Sequence, residues 1–287
     1  VDITSETDLN LSVADAAAKI GPRTRAIMVV HYGGYSCEMN GIQTLAARHG
    51  LKIIEDCAHA PGALYQGKNG PRPVGTVGDV GCFSFFANKN LTTGEGGMVV
   101  TNDDTLAARL KTLRSHGMTT LTWDRHKGHS FSYDVTARGY NYRLDELRAA
   151  LGLVQLEKVR SYNARRGEIV RIYQENLKDL DFLQLPFLAA PPGSAYHLFP
   201  VLLKDPDLRG PFMAHLARRG IQTSIHYPPI PRFTYYRQFW DNDQEPDLPL
   251  TYRVASRLVT LPLFPTLTPE QIALVLEAVR EFPQVGK

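Results

Sequence analysis

Cysteine is scarce. Cys37, Cys57 and Cys82 are the three in a chain of 287 residues. An odd number lying in or beside apolar segments argues against a disulfide framework and fits structural thiols in a reducing compartment, so a cytoplasmic location is expected. Long hydrophobic runs are missing too: no apolar stretch approaches the ~20 residues of a membrane span, and no signal peptide is visible. Charge of one sign is nowhere concentrated. Against 29 acidic residues stand 32 Lys and Arg, a formal net charge of +3, with no long basic block, so neither nucleic acid nor a membrane is expected as a partner. The zinc-protease pattern HExxH is absent, and His116, His126 and His129 share one loop region without ligand spacing, so no metal site is expected. The stretch GALYQGKN (residues 62–69) nearly matches a phosphate-binding loop. Asn69, however, replaces the required Ser or Thr, and Gly70-Pro71 follows where a helix should begin. Gly94-Glu95-Gly96-Gly97 precedes a strand and is no dinucleotide fingerprint, which leaves a nicotinamide-dependent oxidoreductase without its signature. The chain opens on Val1 rather than methionine, and an upstream section is expected to be missing from it.

What is present reads as an α/β protein. A hydrophobic share of 43% and a charged share of 21% are ordinary for a globular chain with ample core. In the first half, helical and strand patterns alternate. Ser12 caps a short helix through Ile20, with Asp15 three residues on as in a capping box. Ala26 to Val30 and Leu51 to Ile54 read as buried parallel strands, with a helix from Met39 to His49 between them. Strands over Val80–Phe86 and Met98–Val100 follow, then a helix over Asp104–Ser115 with Leu106, Leu110 and Leu113 on one face. Met118 to Tyr142 has no clear period and reads as a long loop of the kind that often carries function. A strong helix is expected over Arg143–Arg160, with Leu144, Leu147, Leu151 and Val154 at helical spacing, and helical character resumes to about Leu177. After the loop Pro186–Gly193 come strands at Leu198–Leu203, Ile221–His226 and Leu258–Leu263, and a helix over Pro211–Arg219. A last helix opens on Thr268-Pro269. The expected organisation is a mostly parallel-sheet large domain over residues 1–160 and a smaller α+β domain over 161–287.

One lysine stands out. Lys89 follows an apolar strand, with Ser84 five residues before it and Gly94, Gly96 and Gly97 in the turn beyond. α/β proteins build their sites at such strand ends. A desolvated lysine loses its proton more easily and can attack a carbonyl. Asp56, at the end of an earlier strand, reads either as a carboxylate turning into solvent or as one directed into the same site, beside a heterocyclic nitrogen that it would keep protonated. His59, three residues on, would contact the same ligand.

Four runs, in order and at matching spacing, carry a resemblance. They are EDCAHA (55–60), SFFANKN with GEGG (84–90 and 94–97), GYNYR (139–143) and GIQTSIHYP (220–228). Together they closely resemble the nucleotide-sugar aminotransferases of the DegT/DnrJ/StrS group, fold type I enzymes that use pyridoxal 5'-phosphate (PLP), over essentially the whole chain. The resemblance implies that Lys89 is the Schiff-base lysine, Asp56 the partner of the pyridinium nitrogen and Ser84 a phosphate ligand. It places His59 against the cofactor ring or its phenolic oxygen. Asn141 would reach the cofactor phosphate of a neighbouring subunit, implying a homodimer with shared active sites. His226 and Tyr227 fall in a loop near the sugar, although Ile230-Pro231-Arg232 departs from its commoner form. Arg125 and Lys127 could meet a nucleotide diphosphate, against the alternative of a solvated loop. The implied reaction moves an amino group from glutamate or glutamine to a keto-sugar. A sister branch that dehydrates sugars carries histidine in place of this lysine, and a regulatory or binding protein retaining the fold is the non-enzymatic alternative. Members of the group also carry, before the part matching Val1, a section with a turn that cups the cofactor phosphate. Nothing equivalent occurs here, so the 287-residue species alone is expected to bind PLP weakly.

Overall fold

A computed structural model describes residues 1–119, 133–190, 192–240 and 243–282. The first helix, α1 (Val13–Ala18), is capped by Ser12, whose hydroxyl accepts from the Asp15 N–H. The expected reciprocal bond of a capping box is replaced: the Asp15 carboxylate accepts instead from the Asp2 N–H at 2.6 Å. Strand β1 (Ala26–Val30) leads to α2 (Met39–His49), which ends on Gly50 in the left-handed conformation. Strand β2 (Lys52–Asp56) runs two residues past the expected Ile54, so Glu55 and Asp56 belong to the strand itself.

Between β2 and the lysine segment lies a hairpin that periodicity did not indicate, β3 (Leu64–Gly67) and β4 (Gly70–Pro73). The rejected phosphate-loop lookalike is this hairpin. Its Lys68-Asn69 tip and Gly70 at φ 100° supply the turn. Strands β5 (Val80–Ser84) and β6 (Gly97–Val100) follow. The sheet order is β1-β2-β5-β6, parallel from β1 to β5 and antiparallel at β5–β6. Helix α3 (Asp104–Arg114) comes next, with Leu106, Leu110 and Leu113 half-buried.

The two faces of this sheet differ sharply. Ile27, Val29, Ile53 and Glu55 point to the buried face, packed with Met39, Ile42 and Leu45 of α2. Because side chains alternate along a strand, Met28, Val30, Ile54, Asp56, Cys82 and Ser84 share the other. That face is open: Met28 is 54% exposed and Val30 43%.

The helical character expected over Arg143–Arg160 and onward forms one 32-residue helix, α4 (Glu146–Leu177), capped by Asp145. The residue 160/161 boundary therefore falls inside a continuous helix. From Val159 onward it is packed, burying Val159, Ile169, Val170, Tyr173 and Leu177. Its N-terminal part is exposed, Leu147 at 86% and Val154 at 49%; of the leucine stripe read from the sequence, Leu144 is half-buried beside the Gly96 turn, while Leu147, Leu151 and Val154 are exposed.

The C-terminal half holds a three-stranded antiparallel sheet, β7 (Leu183–Gln184), β8 (Phe199–Leu203) and β9 (Leu258–Leu261). Helices α5 (Arg209–Arg218), the single turn α6 (Thr234–Arg237), α7 (Pro249–Arg257) and α8 (Pro269–Arg280) complete it. Pro200 is tolerated in β8, although proline cannot donate to a ladder. The strand expected over Ile221–His226 is not one: only Ser224 bridges to Thr260. Helix α8 has the full reciprocal capping box of Thr268 and Gln271. Among the described residues, no helix is long and apolar enough to cross a membrane.

Candidate active site

The carboxyl ends of β1, β2 and β5 gather the site. Parallel pairing places Val30 opposite Asp56 and Asp56 opposite Cys82. Ser84, two residues beyond Cys82, therefore rises on the same face as Asp56. The Asp56 Oδ1 accepts from the Ala58 N–H at 2.9 Å, which turns the chain sharply and brings His59 back over the strand ends. After β5, the segment to Lys89 closes a turn in which the Lys89 N–H donates to the Phe86 carbonyl. Gly96, at φ 155°, sits where a Cβ would lie 2.6 Å from the Thr93 hydroxyl, so the turn takes glycine there.

Burial lowers the pKa of Lys89, and the charge of Asp56 only partly opposes it. The two groups thus sense each other across the site. His59 is almost completely buried, and its pKa is pushed down to about 3 by that burial, with Lys89 and His226 repelling a second cation. It is a neutral ring at physiological pH. Its Nδ1 accepts from the Gly33 N–H at 3.3 Å and its Nε2 lies 3.0 Å from the Tyr227 hydroxyl. Since Gly33 can only donate, the ring hydrogen sits on Nε2 and is given to the Tyr227 oxygen. The Tyr227 hydroxyl keeps its own hydrogen for another acceptor. Its pKa is raised, by burial and then by Asp56.

The loop carrying His226 and Tyr227 is fixed from two sides. Tyr32, just past β1, donates its hydroxyl to the His226 carbonyl, and the His226 Nδ1 meets the Thr260 hydroxyl of β9 at 2.9 Å. Burial and Lys89 lower the His226 pKa. A cavity of about 600 Å³ opens beside this loop, lined by Asn88, His197 and His226 together with Ser224, Thr260 and Phe264.

The structure thus brings Asp56, His59, Ser84, Lys89, His226 and Tyr227 to one end of the sheet. It does not bring Asn141 there: this residue is exposed and bridges to Ser115 through its backbone. Arg125 and Lys127 lie outside the described residues.

Three residues that the sequence reading did not single out stand behind the site. His197 stacks on His59, ring centres 4.4 Å apart, and its Nδ1 lies 2.9 Å from the Asn90 Oδ1. The Asn90 Nδ2 donates to the Asn163 Oδ1 and the Ala195 carbonyl, and the Asn163 Nδ2 to the Pro61 carbonyl. Asn163 carried a signal that could have been read, because asparagine is a poor choice within a helix unless its amide has a partner. His197, a lone histidine before the apolar run Leu198–Leu203, carried little.

A second polar cluster lies under the sheet. His31, Glu55 and Cys57 place their ligand-type atoms within 4.8 Å of one another. Those atoms are already engaged. The His31 Nδ1 accepts from the Cys37 N–H, its Nε2 is 3.0 Å from Glu55, and Glu55 also takes the N–H groups of Gly75, Val77 and Gly78. Burial works to raise the Glu55 pKa, but these bonds prevail and lower it. The cluster is a buried peg that fixes the end of β2 next to Asp56.

The model of the DegT/DnrJ/EryC1/StrS aminotransferase family matches residues 1–280. The chain belongs to that family. Among its relatives, the dTDP-3-amino-3,6-dideoxy-alpha-D-galactopyranose transaminase of Aneurinibacillus thermoaerophilus is 39% identical over 274 residues, covering 95% of this chain and 69% of the relative. Helicobacter pylori PseC, an aminotransferase involved in the biosynthesis of pseudoaminic acid, superposes with a TM-score of 0.89 at 30% identity, over 98% of this chain and 72% of the other. DesV of S. venezuelae, solved in complex with a ketimine intermediate, gives 0.83 at 36% identity, over 96% and 70%. The family member described here is therefore a sugar aminotransferase of fold type I, with a mixed, mostly parallel sheet as expected.

Proposed function

We propose that this chain uses PLP to move an amino group from glutamate or glutamine to a keto-sugar carried on a nucleotide, with Lys89 as the Schiff-base residue. The observation that carries the reading is the pairing of a lysine whose pKa burial lowers with a carboxylate at the end of the adjacent parallel strand. The donor set fits the cofactor: an amine for its aldehyde, a carboxylate for its ring nitrogen, a hydroxyl for its phosphate and a neutral aromatic ring for its face. When bound, PLP supplies an electron-withdrawing ring that stabilises a carbanion.

The residues then divide the work. Asp56, held by the Ala58 N–H, keeps a proton on the ring nitrogen through its opposite charge. Lys89 would hold the cofactor's aldehyde and supply the base that carries a proton at the donor carbon, a task suited to an amine whose pKa burial lowers. His59 would cover the ring as an uncharged plane, since a cation there would oppose the protonated nitrogen. Ser84 holds the phosphate. His226 and Tyr227 face the sugar, and Tyr227 offers it a hydroxyl hydrogen. Arg125 and Lys127, outside the described residues, are the basic pair proposed for the nucleotide diphosphate, against the alternative of a solvated loop.

Asn141 lies exposed, as a residue serving a neighbour's site would, and we propose a homodimer with shared sites in the cytoplasm. The test is the first half of the reaction. The chain loaded with PLP and given glutamate converts the cofactor to its amine form, read by its absorbance. A loaded chain that leaves the cofactor unchanged with both glutamate and glutamine overturns the reading.

A further inference from the structure

We propose that His197 is a positioning residue for His59: anchored by Asn90, the residue after Lys89, it holds the His59 ring so that Nδ1 stays on Gly33 and Nε2–H stays on Tyr227. The inference rests on the reading of the site given above, and its test needs no cofactor.

The Asn90 amide is the anchor. Its nitrogen already donates twice, to Asn163 and to the Ala195 carbonyl, at 2.9 and 2.7 Å. Its oxygen is therefore the atom that faces His197 at 2.9 Å, and His197 must donate from Nδ1. The two stacked imidazoles are thus fixed as opposite tautomers, His197 with hydrogen on Nδ1 and His59 with hydrogen on Nε2. A ring donor held at one edge cannot rotate without leaving a buried amide oxygen unpaired.

His197 presses its ring against His59 with an interplanar angle of 32°. Tyr32 and Tyr227 stand near His59 on other sides, with centres 6.4 and 5.9 Å away. Take His197 away, and the imidazole loses the neighbour that excludes water from it. The same network spans four elements. Asn90 belongs to the lysine turn, Asn163 to α4, Ala195 to the approach to β8, and Pro61 to the turn after His59. The lysine turn and the His59 ring are thus joined through His197 in one network, and hydrogen-bonded buried networks specify one arrangement.

Charged and titratable groups around the pair all act alike. Lys89 and His226 oppose a proton on His59, and His59, Lys89, Arg166 and His226 oppose one on His197. Both rings remain neutral, and their tautomers are observable.

Side-chain ¹⁵N spectra of the 287-residue chain, assigned with His59→Gln and His197→Gln, read the tautomers directly. The expected result is His59 as the Nε2–H form and His197 as the Nδ1–H form, neither protonated at pH 5. In His197→Ala, His59 becomes a mixture of tautomers and its titration midpoint rises by about one pH unit or more as water reaches it. Asn90→Ser moves His59 in the same direction by a smaller amount, and serves where His197→Ala does not fold. A role limited to filling space predicts a lower unfolding midpoint with the His59 tautomer and titration unchanged. That outcome overturns the proposal, as does a wild-type spectrum with His59 in the Nδ1–H form.

Discussion

His59 and His197 are buried imidazoles whose pKa values lie at about 3 and about 2, burial being the main cause in each. An unfolded histidine titrates near 6.5. As pH falls below 6.5, the unfolded chain takes up protons that the folded chain refuses. The stability these groups contribute is thus complete above pH 6.5 and declines on the acid side, by up to ~1.4 kcal/mol per pH unit for each histidine. Glu55, with its pKa lowered, adds to the loss once pH enters the ordinary carboxylate range. Urea unfolding between pH 7 and 5 is expected to show this slope, smaller by about one proton in His197→Gln. A stability that stays flat over that interval contradicts the neutral assignment.

Among the turns that bring the elements together, the one after β1 leaves no room for a side chain. Gly34, at φ 89°, would place a Cβ 2.8 Å from the Tyr196 nitrogen and 2.9 Å from the His59 carbonyl oxygen. A side chain there would push the His59 turn from the approach to β8. Gly34→Ala is expected to cost ~2 kcal/mol or more through left-handed strain and backbone clash, measured by chemical unfolding. An unchanged midpoint would show that the two turns are not held together here. This scale also shows what the sequence could reveal. Local patterns carried the helix over Met39–His49, the parallel strands and the Thr268 cap, because each expresses its own periodicity or capping chemistry. The Leu64–Pro73 hairpin was hidden since its four-residue strands are too short to show alternation, and α7 because its Pro-Leu-Thr start resembles a loop. Asp56, His59, Ser84 and Lys89 were legible together as strand-end residues. His197 was not, because its partner Asn90 lies 107 residues away and only tertiary packing joins the two; Asn163 was marked only as a helical asparagine in need of some partner.

At the scale of the whole molecule, apolar surface stands exposed among the described residues. Helix α4 exposes Leu147, Leu151, Leu153, Val154 and Leu156, beside Tyr140 and Tyr142. A helix apolar on more than one side is normally buried, and patches of this kind mark association surfaces. Under the proposed homodimer, sedimentation is expected to show a dimer that Leu147→Asp with Leu151→Asp weakens about tenfold or more. A double variant as dimeric as the parent places the interface elsewhere. One amine decides the chemistry. The chain incubated with excess PLP, reduced with borohydride, digested and analysed by mass spectrometry should carry its pyridoxyl group on the peptide containing Lys89, and Lys89→Ala should lose it. Labelling spread over other lysines, undiminished in Lys89→Ala, would contradict the account.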